Sequence, residues 1–202
     1  MMPKVSIIDY GVGNIFSMKT ALNKTGLKVK TTSDPSEILS SDGVVLPGVG
    51  AWTPAVNGIS LLRETIAECV SQGKPLLGSC LGLQLLFEWS EEGKGRGLGL
   101  IKGGVKRFRG SIKIPHMGWN TIKITKDIEL FDEIEKGDCF YFVHSYYIDP
   151  DEDGVKAGLT VHGTEFTSVV ARDNLYGTQF HPEKSGKKGG RILINFASLV
   201  KR

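Results

Sequence analysis

A chain of 202 residues that is 40% hydrophobic and 23% charged has the proportions of a globular protein with a sizeable core. Its formal net charge of +3 is spread along the sequence and gives no electrostatic footprint for nucleic acid. No apolar run approaches the ~18 residues that suggest a transmembrane helix, so no membrane partner is expected.

In chain order, residues 5–8 read as a strand, and Ile15, Met18 and Leu22 form a helical stripe that stops before Gly26. Residues 28–31 and 43–46 read as two further strands. Ile59, Leu62, Ile66, Cys69 and Val70 recur on one face of a helix that stops at Gly73, and Leu76-Leu77 opens the next strand. This alternation predicts an α/β fold with a mostly parallel central sheet covered by helices on both faces. From about Gly99 the rhythm changes. Segments 101–108, 119–124, 139–143, 158–161, 166–171 and 174–180 read as strands separated by turns, so an additional antiparallel β portion is expected. Ile192, Phe196, Leu199 and Val200 then mark a terminal amphipathic helix. No repeat or linker divides the chain, and residues 1–202 are read as one domain.

The three cysteines, Cys69, Cys80 and Cys139, form no CxxC pair, and the four histidines have no metal-ligand spacing. Neither a disulfide framework nor a metal is expected. Met1-Met2-Pro3-Lys4-Val5 reads straight into a strand with no leader, so a cytoplasmic location is expected. Gly11-Val12-Gly13 lacks the third glycine of a dinucleotide fingerprint, and nucleotide binding is unsupported.

Chemistry concentrates in two places. Gly78-Ser79-Cys80-Leu81-Gly82 follows the strand signal and precedes a helical one, the pattern of a nucleophile elbow with cysteine at its apex. The following helix would turn its positive end toward the sulfur, which favours a thiolate. A core cysteine in a glycine-rich loop fits the pentapeptide equally well. His181-Pro182-Glu183 supplies what a nucleophile needs, a base and a group to orient it. Pro182 biases His181 toward extended backbone, and residues i and i+2 of an extended chain project to one side. Alone, the tripeptide is most simply a structural histidine; joined to the elbow, a triad accounts for both motifs.

With a third run, Leu46-Pro47-Gly48-Val49-Gly50, the chain resembles a class I glutamine amidotransferase, a family with a flavodoxin-like fold. The resemblance implies Cys80 as nucleophile, His181 as base and Glu183 as its orienter. It implies an oxyanion hole from the backbone of Val49 or Gly50 and of Leu81, the two fixed donors that a tetrahedral intermediate requires. Gly48, Gln84, Glu92, Ser145 and Tyr146 would hold glutamine, with Gln84 on the face of Cys80 one turn along and Glu92 receiving the α-ammonium. His144 is expected to be structural. Tyr10-Gly11-Val12-Gly13-Asn14, the run from Pro115 to Asn120, the run from Tyr141 to Tyr146 and the run from Gln179 to Ser185 narrow the likeness. They resemble the glutaminase subunits that feed ammonia to a (βα)8-barrel synthase in histidine biosynthesis. That partner makes imidazole glycerol phosphate and aminoimidazole carboxamide ribotide, and Asn14, Met117, Trp119 and Lys184 would face it. No metal or organic cofactor is implied. Three other readings stay open: a glutaminase of pyridoxal phosphate synthase, a free-standing cysteine hydrolase of γ-glutamyl compounds, and a non-catalytic interaction subunit.

Overall fold

The computed structural model describes residues 2–202; Met1, the first residue of the stretch read as lacking a leader, lies outside them. The first half runs β1 (Lys4–Ile8), α1 (Ile15–Asn23), β2 (Lys28–Thr32), α2 (Pro35–Leu39), β3 (Gly43–Leu46), α3 (Trp52–Ile59), α4 (Arg63–Ser71), β4 (Leu76–Ser79) and the single turn α5 (Leu81–Gln84). The second half adds β5 (Trp89–Ser90), β6 (Gly103–Arg107), β7 (His116–Thr121), β8 (Lys123–Ile124), β9 (Cys139–His144), β10 (Tyr146–Pro150), β11 (Lys156–His162), β12 (Thr164–Arg172), β13 (Leu175–Thr178) and α6 (Gly186–Val200).

Local chemistry explains the helix starts. Asn14 accepts from the Ser17 N–H and caps α1, while Asp34 accepts from the Ser36 N–H with Pro35 at the first helical position of α2. β3 and β4 are buried at every residue, as expected of central parallel strands sandwiched between helices. Alternation then sorts the side chains. Val5, Ile7, Val45 and Leu77 pack with Met18 and Leu22 of α1 and Phe196 of α6. Ile8, Val44, Leu46 and Leu76 pack on the other face with Ile38, Trp52, Ile59, Ile66 and Cys69.

The strands order as β2-β1-β3-β4-β13-β12-β10-β6-β5 in an 11-stranded sheet, with β11 and β8 branching off β12. The first five strands are parallel, in the flavodoxin-like order. β12, β10 and β6 continue the same sheet antiparallel, so most of the added β portion extends the main sheet. Only β7 and β9 form a separate antiparallel pair.

Two elements depart from the sequence reading. The apolar run from Ile59 to Val70 does not lie on one helix: Ser60–Leu62 form a 3-10 turn between α3 and α4. Ile59, Leu62, Ile66 and Cys69 all still face the same core, so the apolar spacing carries no trace of the break. The helix α2, which the apolar pattern does not announce, is signalled only by its cap residues.

Candidate active site

The parallel strands deliver their chemistry at their C-terminal ends, where ligands bind in open α/β sheets. β3 ends in Pro47-Gly48-Val49-Gly50, β4 in Cys80, and the chain beyond β13 in His181. Val49, Gly50, Cys80 and His181 line one chamber of about 370 Å³ together with Leu81, Gln84, Glu92, Ser145 and Tyr146.

Cys80 has φ 52 and ψ −107, a conformation that L-residues rarely adopt. It is held there on both sides: its N–H donates to the Thr178 carbonyl at 2.7 Å and its carbonyl accepts from the Gln84 N–H at 3.1 Å. The glycines beneath it have no room for a side chain. A Cβ on Gly82 would lie 1.9 Å from the Leu46 carbonyl oxygen, and one on Gly48 would lie 2.4 Å from the Gly82 nitrogen. The elbow and the loop after β3 are therefore packed backbone to backbone. Gly48 is buried in that contact, behind the wall of the chamber, and it is Val49 and Gly50 that reach the open space. The N–H groups of Val49, Gly50 and Leu81 donate to no described residue.

His181 and Glu183 are 1% and 3% exposed, and His181 Nδ1 lies 2.9 Å from Glu183 Oε1. The delivery differs from an extended tripeptide: Pro182–Lys184 is a 3-10 turn, which folds the carboxylate back onto the ring. With Nδ1–H donating to Glu183, Nε2 is the nitrogen left for the thiol, and it has no other partner among the described residues. Burial opposes a charge on this ring, but the adjoining Cys80 sulfur and the Glu183 carboxylate outweigh it and raise His181 to about 10. A proton leaving Cys80 thus has a ready acceptor.

Gln84 is 4% exposed, and its Nε2 is committed to the protein, donating to the Tyr146 carbonyl at 3.0 Å and to Gln179 Oε1 at 3.3 Å. Its carbonyl oxygen, rather than its whole amide, remains for a ligand. Glu92 Oε2 accepts from the Trp52 N–H at 3.0 Å; burial raises this carboxyl, and that N–H partly offsets the effect. The Tyr146 carbonyl is also taken by His144 Nδ1 at 2.8 Å. His144 Nε2 in turn lies 2.9 Å from His116 Nδ1, and His116 Nε2 lies 3.1 Å from Asn120 Nδ2. Both rings are neutral, because burial lowers His116 to about 4 and His144 to about 3. With both nitrogens engaged, His144 supports the wall.

Two residues that sequence reasoning passed over stand close to the sulfur. Gln179 Nε2 lies 3.7 Å from Cys80 Sγ, and the buried Tyr10 hydroxyl donates to the Pro47 carbonyl. Burial, and then the nearby sulfur, push the Tyr10 phenol upward. The signal for Gln179 was available: it precedes His181 by two residues at the end of a strand, so the two project to one side.

The four residues assigned to a partner face lie outside the chamber. Met117 and Trp119 are 59% and 58% exposed on the outer face of β7, and the Trp119 ring lies against Gly186. Lys184 is exposed in the turn before α6, and that turn contacts α1, which Asn14 caps. Among the described residues, all three cysteines are free, no cluster of His, Cys, Asp or Glu could hold a metal, and no helix is long and apolar enough to cross a membrane.

A doubly wound sheet with a strained cysteine elbow and a buried His–Glu pair at its C-terminal edge defines a class, and comparison with known proteins agrees. The chain belongs to the class-I glutamine amidotransferase family, whose model matches residues 6–199. It is 49% identical to imidazole glycerol phosphate synthase subunit HisH of Methanocaldococcus jannaschii, over 97% of this chain and 100% of that one. It is 50% identical to the protein of the same name from Archaeoglobus fulgidus, over 98% and 100%. A chain in the structure of PurLQS from Thermotoga maritima, 18% identical, shares the fold with a TM-score of 0.78 over 100% of this chain and 100% of its own.

Proposed function

We propose that this protein is the glutaminase subunit of an imidazole glycerol phosphate synthase, working in histidine biosynthesis. The observation that carries the reading is the shared chamber, in which the strained Cys80 faces a buried His181–Glu183 pair. The names of relatives at 49% and 50% identity over nearly the whole chain favour this acceptor over pyridoxal phosphate synthase.

Cys80 gives its proton to His181 and attacks the carboxamide carbon of glutamine. Backbone N–H groups of Leu81 and of Val49 or Gly50 hold the oxyanion. His181, positioned by Glu183, protonates the departing ammonia, then draws a proton from water as it cleaves the γ-glutamyl thioester to glutamate. Gln84 Oε1, Glu92 and the Ser145–Tyr146 segment hold the amino-acid end, and Gly48 serves by setting the backbone of the loop. Ammonia passes to a (βα)8-barrel partner docked on the face of Asn14, Met117, Trp119 and Lys184, in the cytoplasm. The chemistry uses no metal or organic cofactor.

The test is ammonia release from glutamine, with and without the barrel partner. Release that depends on Cys80 supports the reading. A chain that assembles with the partner yet never hydrolyses glutamine would leave only the non-catalytic alternative, and full activity without a partner would favour the free-standing hydrolase.

A further inference from the structure

Gln179 has no part in the chemistry above, yet its side chain is 0% exposed and sits between the nucleophile and the glutamine-holding amide. The two ends of an amide are alike in shape, so its direction follows from its neighbours. The Tyr146 carbonyl can only accept, so the Gln84 atom 3.0 Å from it is the NH2 nitrogen. That same NH2 lies 3.3 Å from Gln179, and the atom it meets there must be oxygen. The NH2 of Gln179 is left against Cys80 Sγ at 3.7 Å. A reversed Gln179 would set NH2 against NH2 and a carbonyl oxygen against the sulfur. The backbone pins the residue as well, its N–H donating to the Ser168 carbonyl at 2.8 Å.

We infer that Gln179 is a further catalytic residue, whose amide N–H donates to the Cys80 sulfur while its carbonyl fixes Gln84 for the substrate. The role rests on the glutaminase reading. Hydrogen bonds to an ionised acceptor are the strong ones, and this donor is shut away from water. The donor acts twice. It steadies the thiolate after the thiol proton has gone to His181, and again when the C–S bond of the thioester breaks and its electron pair returns to sulfur. Gln179 itself transfers no proton. Through Gln84 it also links the reacting sulfur to the pocket that holds the amino-acid end.

Gln179→Leu removes both hydrogen bonds at similar volume, and Gln179→Glu keeps the shape but sets a carboxylate beside the sulfur. Alkylation of Cys80 by iodoacetamide, resolved from Cys69 and Cys139 by peptide mass spectrometry, reads the sulfur without needing turnover. We expect Gln179→Leu to slow it at neutral pH by about tenfold, the size of one lost hydrogen bond to a charged group, with the pH profile displaced upward. Gln179→Glu should slow it more, and both should raise KM for glutamine as well as lower kcat. An unchanged alkylation profile in a variant that melts like the wild type overturns the inference. If Gln179→Leu does not fold, Gln179→Glu decides by the same criterion. Failure of the glutaminase reading is separate: the wild type would then release no ammonia from glutamine, whatever the alkylation profiles.

Discussion

The two walls of the chamber are built differently. The elbow at Cys80 is fixed from every side, by a backbone hydrogen bond to β13, by its own first helical turn and by a Gly82 that touches the β3 backbone. The loop facing it is anchored at Pro47 by Tyr10 and at Gly48 by contact, but Val49 is only partly buried, Gly50 is exposed with φ 125, and their N–H groups are unengaged by described residues. In the proposed reaction the contrast separates two tasks: a nucleophile held under strain needs rigidity, while oxyanion donors on a loop with unengaged N–H groups can be presented or withdrawn by a peptide rotation. On the proposed function, control of turnover would fall to the loop without disturbing Cys80, His181 and Glu183.

The largest expected effect is on the rigid side. Cys80→Ala should abolish glutamine-dependent synthesis, a loss of at least ~10⁴ in kcat, while the assembled complex still works with ammonium at alkaline pH. Loss of both activities in an intact complex would give Cys80 a second role. His181→Ala should follow, with Glu183→Gln less severe, since an orienting group contributes less than the base it holds. Steady-state kinetics on the two variants ranks them, and full activity in His181→Ala would dismantle the triad.

Gly82→Ala probes the packing that fixes the elbow. Its new Cβ would lie 1.9 Å from the Leu46 carbonyl oxygen, so α5 or β3 must shift. We expect a destabilisation of about 1–3 kcal/mol and reduced Cys80 reactivity, measured by denaturant unfolding and alkylation. Stability and reactivity like those of the wild type would show that the elbow is not tightly held.

On the outer face, Trp119→Ala should weaken partner affinity by roughly 30-fold, equivalent to ~2 kcal/mol, with little change in melting temperature, because the ring is 58% exposed. A large stability loss at unchanged affinity would make Trp119 a structural residue. The smallest effect concerns the neutral histidines behind the wall. His116 and His144 fold with values near 4 and 3, below the ordinary ~6.5, so the unfolded chain binds more protons between those limits. Their contribution to stability is therefore complete above ~6.5 and declines as pH falls toward 3. Melting curves should drop on acidification, less steeply in His116→Gln; an identical slope would remove these rings from the linkage.

The parallel half, the cysteine elbow and the His181–Glu183 pair were legible in the sequence because their signals are local. Small residues around Cys80 and a proline after His181 are short-range requirements, and apolar strands beside striped helices need no distant partner to be read. What the sequence concealed depends on contacts between remote segments. Gln84 and Tyr146 meet across 62 positions, and Gln84 and Gln179 across 95, so no spacing rule shows that the Gln84 amide is already half used. The break between α3 and α4 leaves the apolar pattern intact, and the pairing of β10 with both β12 and β6 follows from sheet assembly. The likeness to a known family named the chamber residues but not their hydrogen bonds.

The contrast between a rigid nucleophile and a movable donor loop is tested most directly by measuring two quantities in the same samples: glutamine turnover and the alkylation rate of Cys80. The samples are the chain alone, the chain with the proposed barrel partner, and that complex with the partner's own substrate bound. We expect turnover to rise from sample to sample, up to the ~10²–10³-fold that one oxyanion donor is worth, while alkylation changes little. Equal turnover in all three, or alkylation rising in step with turnover, would show that the loop is not the gate.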